Sequence, residues 1–168
     1  MTGLDRLWAG WRSAYIEGVE ADPTGHADDC LFCRLAELPD DEAFVLERTP
    51  RTFTVMNAYP YTSGHVMVAP LHHVADLESL EPGEAADVMH GVQRACVALR
   101  AAYRPDGLNV GVNVGRVAGA GVPGHVHVHA LPRWSGDSNF MTSVAEARVL
   151  PETLRASWEK LRGAWPRA

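Results

Sequence analysis

The chain has 168 residues, 46% of them apolar and 21% charged, enough for a single domain that buries about 70% of its unfolded surface without disulfides. No run of about 18 apolar residues occurs, which excludes a transmembrane helix, and Met1-Thr2-Gly3-Leu4-Asp5-Arg6 lacks the basic patch and apolar stretch of a secretory leader, so a cytoplasmic protein is expected. Fifteen basic against 21 acidic residues give a net charge of −6, which argues against nucleic-acid binding through a positive face and requires any anionic substrate to be gripped locally.

Leu4, Leu7, Trp8, Trp11 and Tyr15 recur at spacings of three and four, which predicts an amphipathic helical stretch over 4–16 with an aromatic face for the core or a subunit contact. Residues 17–29, rich in Asp and Gly, read as a loop. Cys30 to Glu37 reads as a short turn or helix carrying a CxxC pair, a spacing for metal or redox chemistry in a reducing compartment. Extended segments follow at 44–47 and 52–57, joined by the hairpin connection Arg48-Thr49-Pro50-Arg51. After the turn Tyr59-Pro60-Tyr61-Thr62-Ser63-Gly64, a strand is expected from His65 to Pro70.

The longest helical pattern runs from Leu77 to Tyr103, with Val88, Val92, Ala95, Cys96 and Leu99 as its apolar stripe, Pro82 near its start and Arg104-Pro105-Asp106-Gly107 ending it. Cys96 on that stripe reads as a small buried hydrophobe. Residues 108–114 alternate apolar with Asn or Gly, so a strand is expected that buries its valines and presents Asn109 and Asn113. Residues 115–124 hold four glycines and a proline, a loop whose backbone can approach a ligand closely. A strand over 125–131, a loop over 132–139 and a helix over 151–162 with Leu154, Trp158 and Leu161 inward complete the chain.

His125-Val126-His127-Val128-His129-Ala130-Leu131 is the most informative stretch. On a strand the three imidazoles share one face while Val126, Val128 and Ala130 enter the core. The outer two histidine backbones stand about 13 Å apart, too far for all three rings to hold one ion through bonds of about 2.0–2.1 Å. At least one ring is left for other work. A neutral imidazole is nucleophilic near pH 7, does not repel a polyphosphate, and forms a phosphorus–nitrogen bond that is readily broken again. Covalent nucleotidyl transfer fits, with the N–H groups of Gly119, Gly121 and Gly124 and the side chain of Arg133 as candidate phosphate contacts. Among the other histidines, His26 and His65 read as plain loop and strand residues and His90 as solvent-facing.

HVHVHAL resembles the signature of the histidine triad superfamily, and LWAGWRSAYI, CLFC, NAYPYTSGHVMVAPLHHV, GLNVGVNVG and HVHVHALPRW follow in the order that superfamily shows. Within it, GAGVPGHVHVHALPRWSGDSNFM is similar to the bacterial diadenosine tetraphosphate phosphorylases. The resemblance implies an α+β fold of about five antiparallel strands with a long helix, an N-terminal aromatic segment and a C-terminal helix. The expected single domain has an extension over 1–29, a core over 30–134 and a C-terminal loop and helix over 135–168.

The resemblance also implies roles: His127 as nucleophile on the α-phosphorus, His129 binding or protonating phosphate, His125 in support, Asn57 on ribose, Asn113 on the α-phosphate, and Asn139 against the second substrate. Gly121-Val122-Pro123-Gly124 stands where many relatives carry Gln-Ser-Val or Gln-Thr-Val, so backbone N–H groups replace side-chain donors here. That departure favours phosphorolysis, with inorganic phosphate as second substrate, over hydrolysis of dinucleoside polyphosphates or phosphoramidates. A non-catalytic nucleotide-binding scaffold is the reading from another class. The resemblance further implies a homodimer and a structural zinc held by Cys30, Cys33, His73 and His125, with His72 competing for the place of His73 and a redox pair as the rival reading of the cysteines.

Overall fold

The computed structural model describes residues 30–137 and 151–167. The expected aromatic helix at 4–16, the loop at 17–29, His26 and Asn139 lie outside these described residues. Helix α1 (Leu31–Glu37) and the one-turn α2 (Asp40–Ala43) lead into β1 (Val45–Arg48), β2 (Thr52–Met56), β3 (Val66–Pro70), the 22-residue α3 (Pro82–Tyr103), β4 (Gly107–Val112), a 3-10 turn at Arg116–Ala118, β5 (Val128–Arg133) and α4 (Leu154–Gly163). The five strands form one sheet in the order β1-β2-β3-β5-β4, every neighbouring pair antiparallel.

Alternation along the strands divides the core between the two faces of the sheet. Met56, Val66, Val68, Val128 and Ala130 face α3, meeting Val88, Val92, Ala95, Ala98 and Leu99, and Trp158 and Leu161 of α4 join this layer. Phe53, Val55, Met67 and Ala69 face the other way, against Cys30, Phe32, Ala43 and Val45. The same parity sends His127 and His129 away from α3 and toward α1, because they alternate with Val128 and Ala130. Helix α3 starts at Pro82 rather than Leu77: proline suits the first helical position, and Glu81 and Glu84 form a reciprocal capping box there. Thr153 caps α4 by accepting the Ala156 N–H at 3.2 Å, which moves that helix's start past Pro151.

Two strand expectations are corrected. The ladder of β5 opens at Val128, not His125, since Val128↔Val68 and Val128↔Val112 are the last pairs. Beyond them Pro70 offers no N–H, and its carbonyl is taken by the His125 side chain. None of the valines at 110, 112 and 114 is buried: β4 lies at an edge of the sheet, Val110 is 47% exposed, Val114 is exposed and Val112 is half-buried. Cys96 is half-buried at the edge of the helical layer, where burial pushes its thiol pKa up.

Gly91 lets α3 approach β3, for a Cβ there would lie 2.8 Å from Cγ1 of Val68. Gly91→Ala is expected to destabilise the fold by about 1–3 kcal/mol through overpacking, despite alanine's better helix propensity. Chemical denaturation checks this; an unchanged or higher midpoint would contradict it.

Candidate active site

The extended segment preceding β5, the first turns after β3 and helix α1 converge on the three histidines. His125 is 1% exposed, and its Nε2–H donates to the Pro70 carbonyl at 2.9 Å. That bond leaves Nδ1 bare, and Nδ1 lies 3.3 Å from Sγ of Cys30 and 3.7 Å from Sγ of Cys33. Nδ1 of His73 stands 3.4 Å from Sγ of Cys33, and all four ligand atoms fall within 4.8 Å of one another. A tetrahedral ion bound by two sulfurs and two nitrogens sets its ligands about 3.3–3.8 Å apart, so the cluster fits such an ion. Thiolate and imidazole donors suit a borderline-soft metal, and the Pro70 carbonyl supplies the outer partner that fixes the tautomer of a ligating histidine. His72 points elsewhere, pairing with Glu84 at 3.4 Å, which leaves His73 as the ligand candidate.

His127 is held differently. Its Nδ1–H donates to the carbonyl of His125 at 2.8 Å, so Nε2 carries the free lone pair. Burial holds its pKa below the usual histidine range, which keeps the ring neutral. The Phe32 ring lies 4.6 Å from that of His127 and 5.3 Å from that of His125.

His129, whose ring stands 4.9 Å from that of His127, is set by a chain of bonds that starts in the turn after β2. Oδ1 of Asn57 accepts the Tyr59 N–H at 2.9 Å, which turns its amide toward Nδ1 of His65 at 3.3 Å. The Tyr61 N–H donates to the same Nδ1 at 3.1 Å. His65 must then carry its proton on Nε2, from which it donates to Nδ1 of His129 at 3.0 Å. His129 in turn carries its proton on Nε2. Tyr61 lies tilted against the His65 ring at 4.6 Å and stacks on that of His129 at 6.1 Å. The reading of His65 as a plain strand residue is therefore corrected: it is fully buried and bonded on both nitrogens. A histidine opening an otherwise apolar strand was the signal for it.

The other expected contacts divide. Asn57 spends its amide inside the turn. Asn113 follows the end of β4 and is half-buried, as are Gly121 and Gly124 in the loop before His125. The Gly119 N–H is engaged by the Arg116 carbonyl at 2.9 Å. Arg133 is not brought to the histidines. It lies six residues beyond His127, about 20 Å along an extended chain, and its guanidinium is clamped by Asp137 at 2.5 and 2.7 Å and by Asn109 at 2.8 Å. His90 is exposed on α3.

Known proteins resemble this chain in sequence and fold. The profile described as HIT domain matches residues 39–136. A protein named AP-4-A phosphorylase from Mycobacterium tuberculosis is 38% identical over 167 residues, covering 98% of this chain and 86% of that protein. Among solved structures, a zinc-bound histidine triad family protein from Mycobacterium smegmatis superposes with a TM-score of 0.67 at 28% identity, covering 83% of this chain and 94% of its own. A hypothetical histidine triad nucleotide-binding protein from Sulfolobus tokodaii gives a TM-score of 0.65 at 25% identity, over 80% and 91%.

In the metal-free protein His125 has its pKa lowered from 6.5 to about 4, chiefly by burial. Since the unfolded chain takes up protons at both His125 and His127 that the folded chain refuses, stability falls as pH drops from about 6.5 toward 4. Denaturation midpoints across that range check the sign. Nitrogen-15 NMR at neutral pH is expected to show His127 protonated on Nδ1 and His129 on Nε2; the opposite tautomers would refute the bonding described.

Proposed function

This chain belongs to the HIT domain family, and on that premise we propose that it cleaves dinucleoside polyphosphates by nucleotidyl transfer, with diadenosine tetraphosphate and inorganic phosphate as substrates. The observation that carries the proposal is the bare, neutral Nε2 of His127, fixed by the bond from Nδ1 to the His125 carbonyl. Nε2 attacks the α-phosphorus in line, the bond to the bridging oxygen breaks, and ATP departs. The positive charge that develops on the ring is stabilised through the Nδ1–H bond to the His125 carbonyl. His129 presents its Nε2–H to a phosphate oxygen, since His65 occupies its other nitrogen. An oxygen of inorganic phosphate then attacks the same phosphorus, the phosphorus–nitrogen bond breaks, and ADP leaves with the imidazole restored.

Asn113 and the backbone of Gly121 and Gly124 are the phosphate contacts in this reading. Asn57 acts through His65, and Arg133 takes no part. His127 is 3% exposed and one side of its ring is covered by Phe32, so substrate meets the Nε2 edge. This dry setting keeps the nucleophile uncharged. The presence of a phosphorylase at 38% identity over nearly the whole chain supports phosphate as the acceptor.

Zinc is the metal this reading assigns to Cys30, Cys33, His73 and His125, supported by the donor set and by the zinc-bound relative. Bound there, the ion would be held by those four side chains and would serve as a structural pin rather than a Lewis acid.

Supplied with diadenosine tetraphosphate, the protein is expected to give ADP and ATP only when phosphate is present. AMP and ATP with or without phosphate would assign it as a hydrolase instead. Radiolabelled substrate should leave an adenylate on the wild type and none on His127→Ala, with turnover down by about 10³-fold or more; equal labelling would reject the nucleophile. For the metal, Cys33→Ser is expected to lose bound zinc by elemental analysis and to melt lower than the wild type, whereas an unchanged zinc content would remove the ligand assignment.

A further inference from the structure

Phe32 occupies a position that neither the metal cluster nor the nucleotidyl step accounts for. It lies in α1 between the two thiols, Cys30 and Cys33, and is 1% exposed. One side of its ring meets Phe53 edge-on, with centroids 6.3 Å apart at 66°. Its ring also meets two imidazoles, His127 at 4.6 Å and 35° and His125 at 5.3 Å and 48°. Val122 of the glycine loop packs against the same cluster.

The bond to the His125 carbonyl holds the His127 ring at one atom, and the His129 ring meets it edge-on at 4.9 Å. A single hydrogen bond fixes the tautomer but leaves the ring a soft swing about its side-chain torsions, since χ2 of histidine has a broad minimum. A flat neighbour laid at a shallow angle along the ring removes that freedom. The 35° tilt toward His127 has this geometry, whereas the edge-on contact with Phe53 anchors Phe32 from behind.

We propose that Phe32 is a positioning residue for the nucleophile: its ring, clamped between Phe53 and His127 and carried between the two thiols, holds the imidazole plane in line for attack. This rests on the reading of His127 as nucleophile. Because Cys30 and Cys33 flank Phe32 and His125 supplies both Nδ1 to their cluster and the carbonyl to His127, order at the thiols reaches the nucleophile by two routes. One route runs through the backbone of His125 and the other through the Phe32 ring.

The test compares Phe32→Leu and Phe32→Met, which keep apolar bulk without a flat ring, with Val45→Ala, which thins the same cluster at a residue outside the Phe53–Phe32–His127 stack. In the zinc-loaded protein with diadenosine tetraphosphate, both Phe32 variants are expected to lose about 10- to 100-fold in kcat and in the single-turnover rate of nucleotidyl-enzyme formation, the scale of a misaimed reactant. KM should stay within about threefold, as befits a group that acts on aim rather than on binding. Val45→Ala should lose no more than about threefold in kcat.

Proton NMR supplies a readout independent of turnover. The His127 ring resonances, displaced in the wild type by the Phe32 ring current, should move in both Phe32 variants and hold in Val45→Ala, with zinc content unchanged throughout. The proposal is overturned if the Phe32 variants lose no more kcat than Val45→Ala, or if the His127 resonances are unmoved. Should the wild type itself form no adenylate on His127, the nucleophile reading is what fails, and the ring-current result then reports the contact alone.

Discussion

The site depends on what the peptide unit of His125 is made to do. Its side chain donates to the Pro70 carbonyl, which turns the other ring nitrogen toward two thiols. Its own carbonyl meanwhile accepts the Nδ1–H of His127. One residue thus closes the cluster of two thiols and two imidazoles and sets the tautomer of His127. The Pro70 carbonyl is available because the β3–β5 ladder stops at Val128↔Val68, so the end of a strand pairing is what permits the His125 bond.

Around that residue the sheet separates stability from function. Helix α3 seals one face with an apolar layer that includes Trp158 and Leu161 of α4, and Trp158 ties its indole N–H to the Val45 carbonyl at 2.9 Å. The opposite face carries α1, the histidines and a smaller apolar cluster. Strand parity keeps the two apart, since neighbouring residues of β5 serve opposite faces. His127 consequently sits at the margin of a strand, one residue before the first ladder pair of β5.

Electrostatics follow the same economy. In a chain of net charge −6, burial and the His125 carbonyl are what act on His127 among the described residues, and Arg133 is neutralised by Asp137 at the far end of β5. The rings of Phe32 and His129 lie against His127. Burial keeps His127 uncharged, which preserves its lone pair, and the Asn57–Tyr61–His65–His129 chain supplies a directed N–H in place of a full positive charge.

Much of this was legible in the linear chain, because spacing translates directly into geometry where structure is regular. The alternation of His127 and His129 with Val128 and Ala130 specified which face each of these would take, whereas His125 and Val126 precede the ladder; the apolar stripe of Val88, Val92, Ala95 and Leu99 specified the long helix and its buried side. Cys30, Cys33, His73 and His125 were named as a ligand set from the family resemblance, and folding brings the four together. What only the tertiary structure decided were contacts between residues remote in sequence: the His65–His129 bond across 64 positions, the Phe32 ring against His127, and the pairing of Arg133 with Asn109 and Asp137. No periodicity encodes these, since each depends on which strands become neighbours and where their ladders end. Local sequence dictates the face a side chain occupies, and only packing dictates what it meets there.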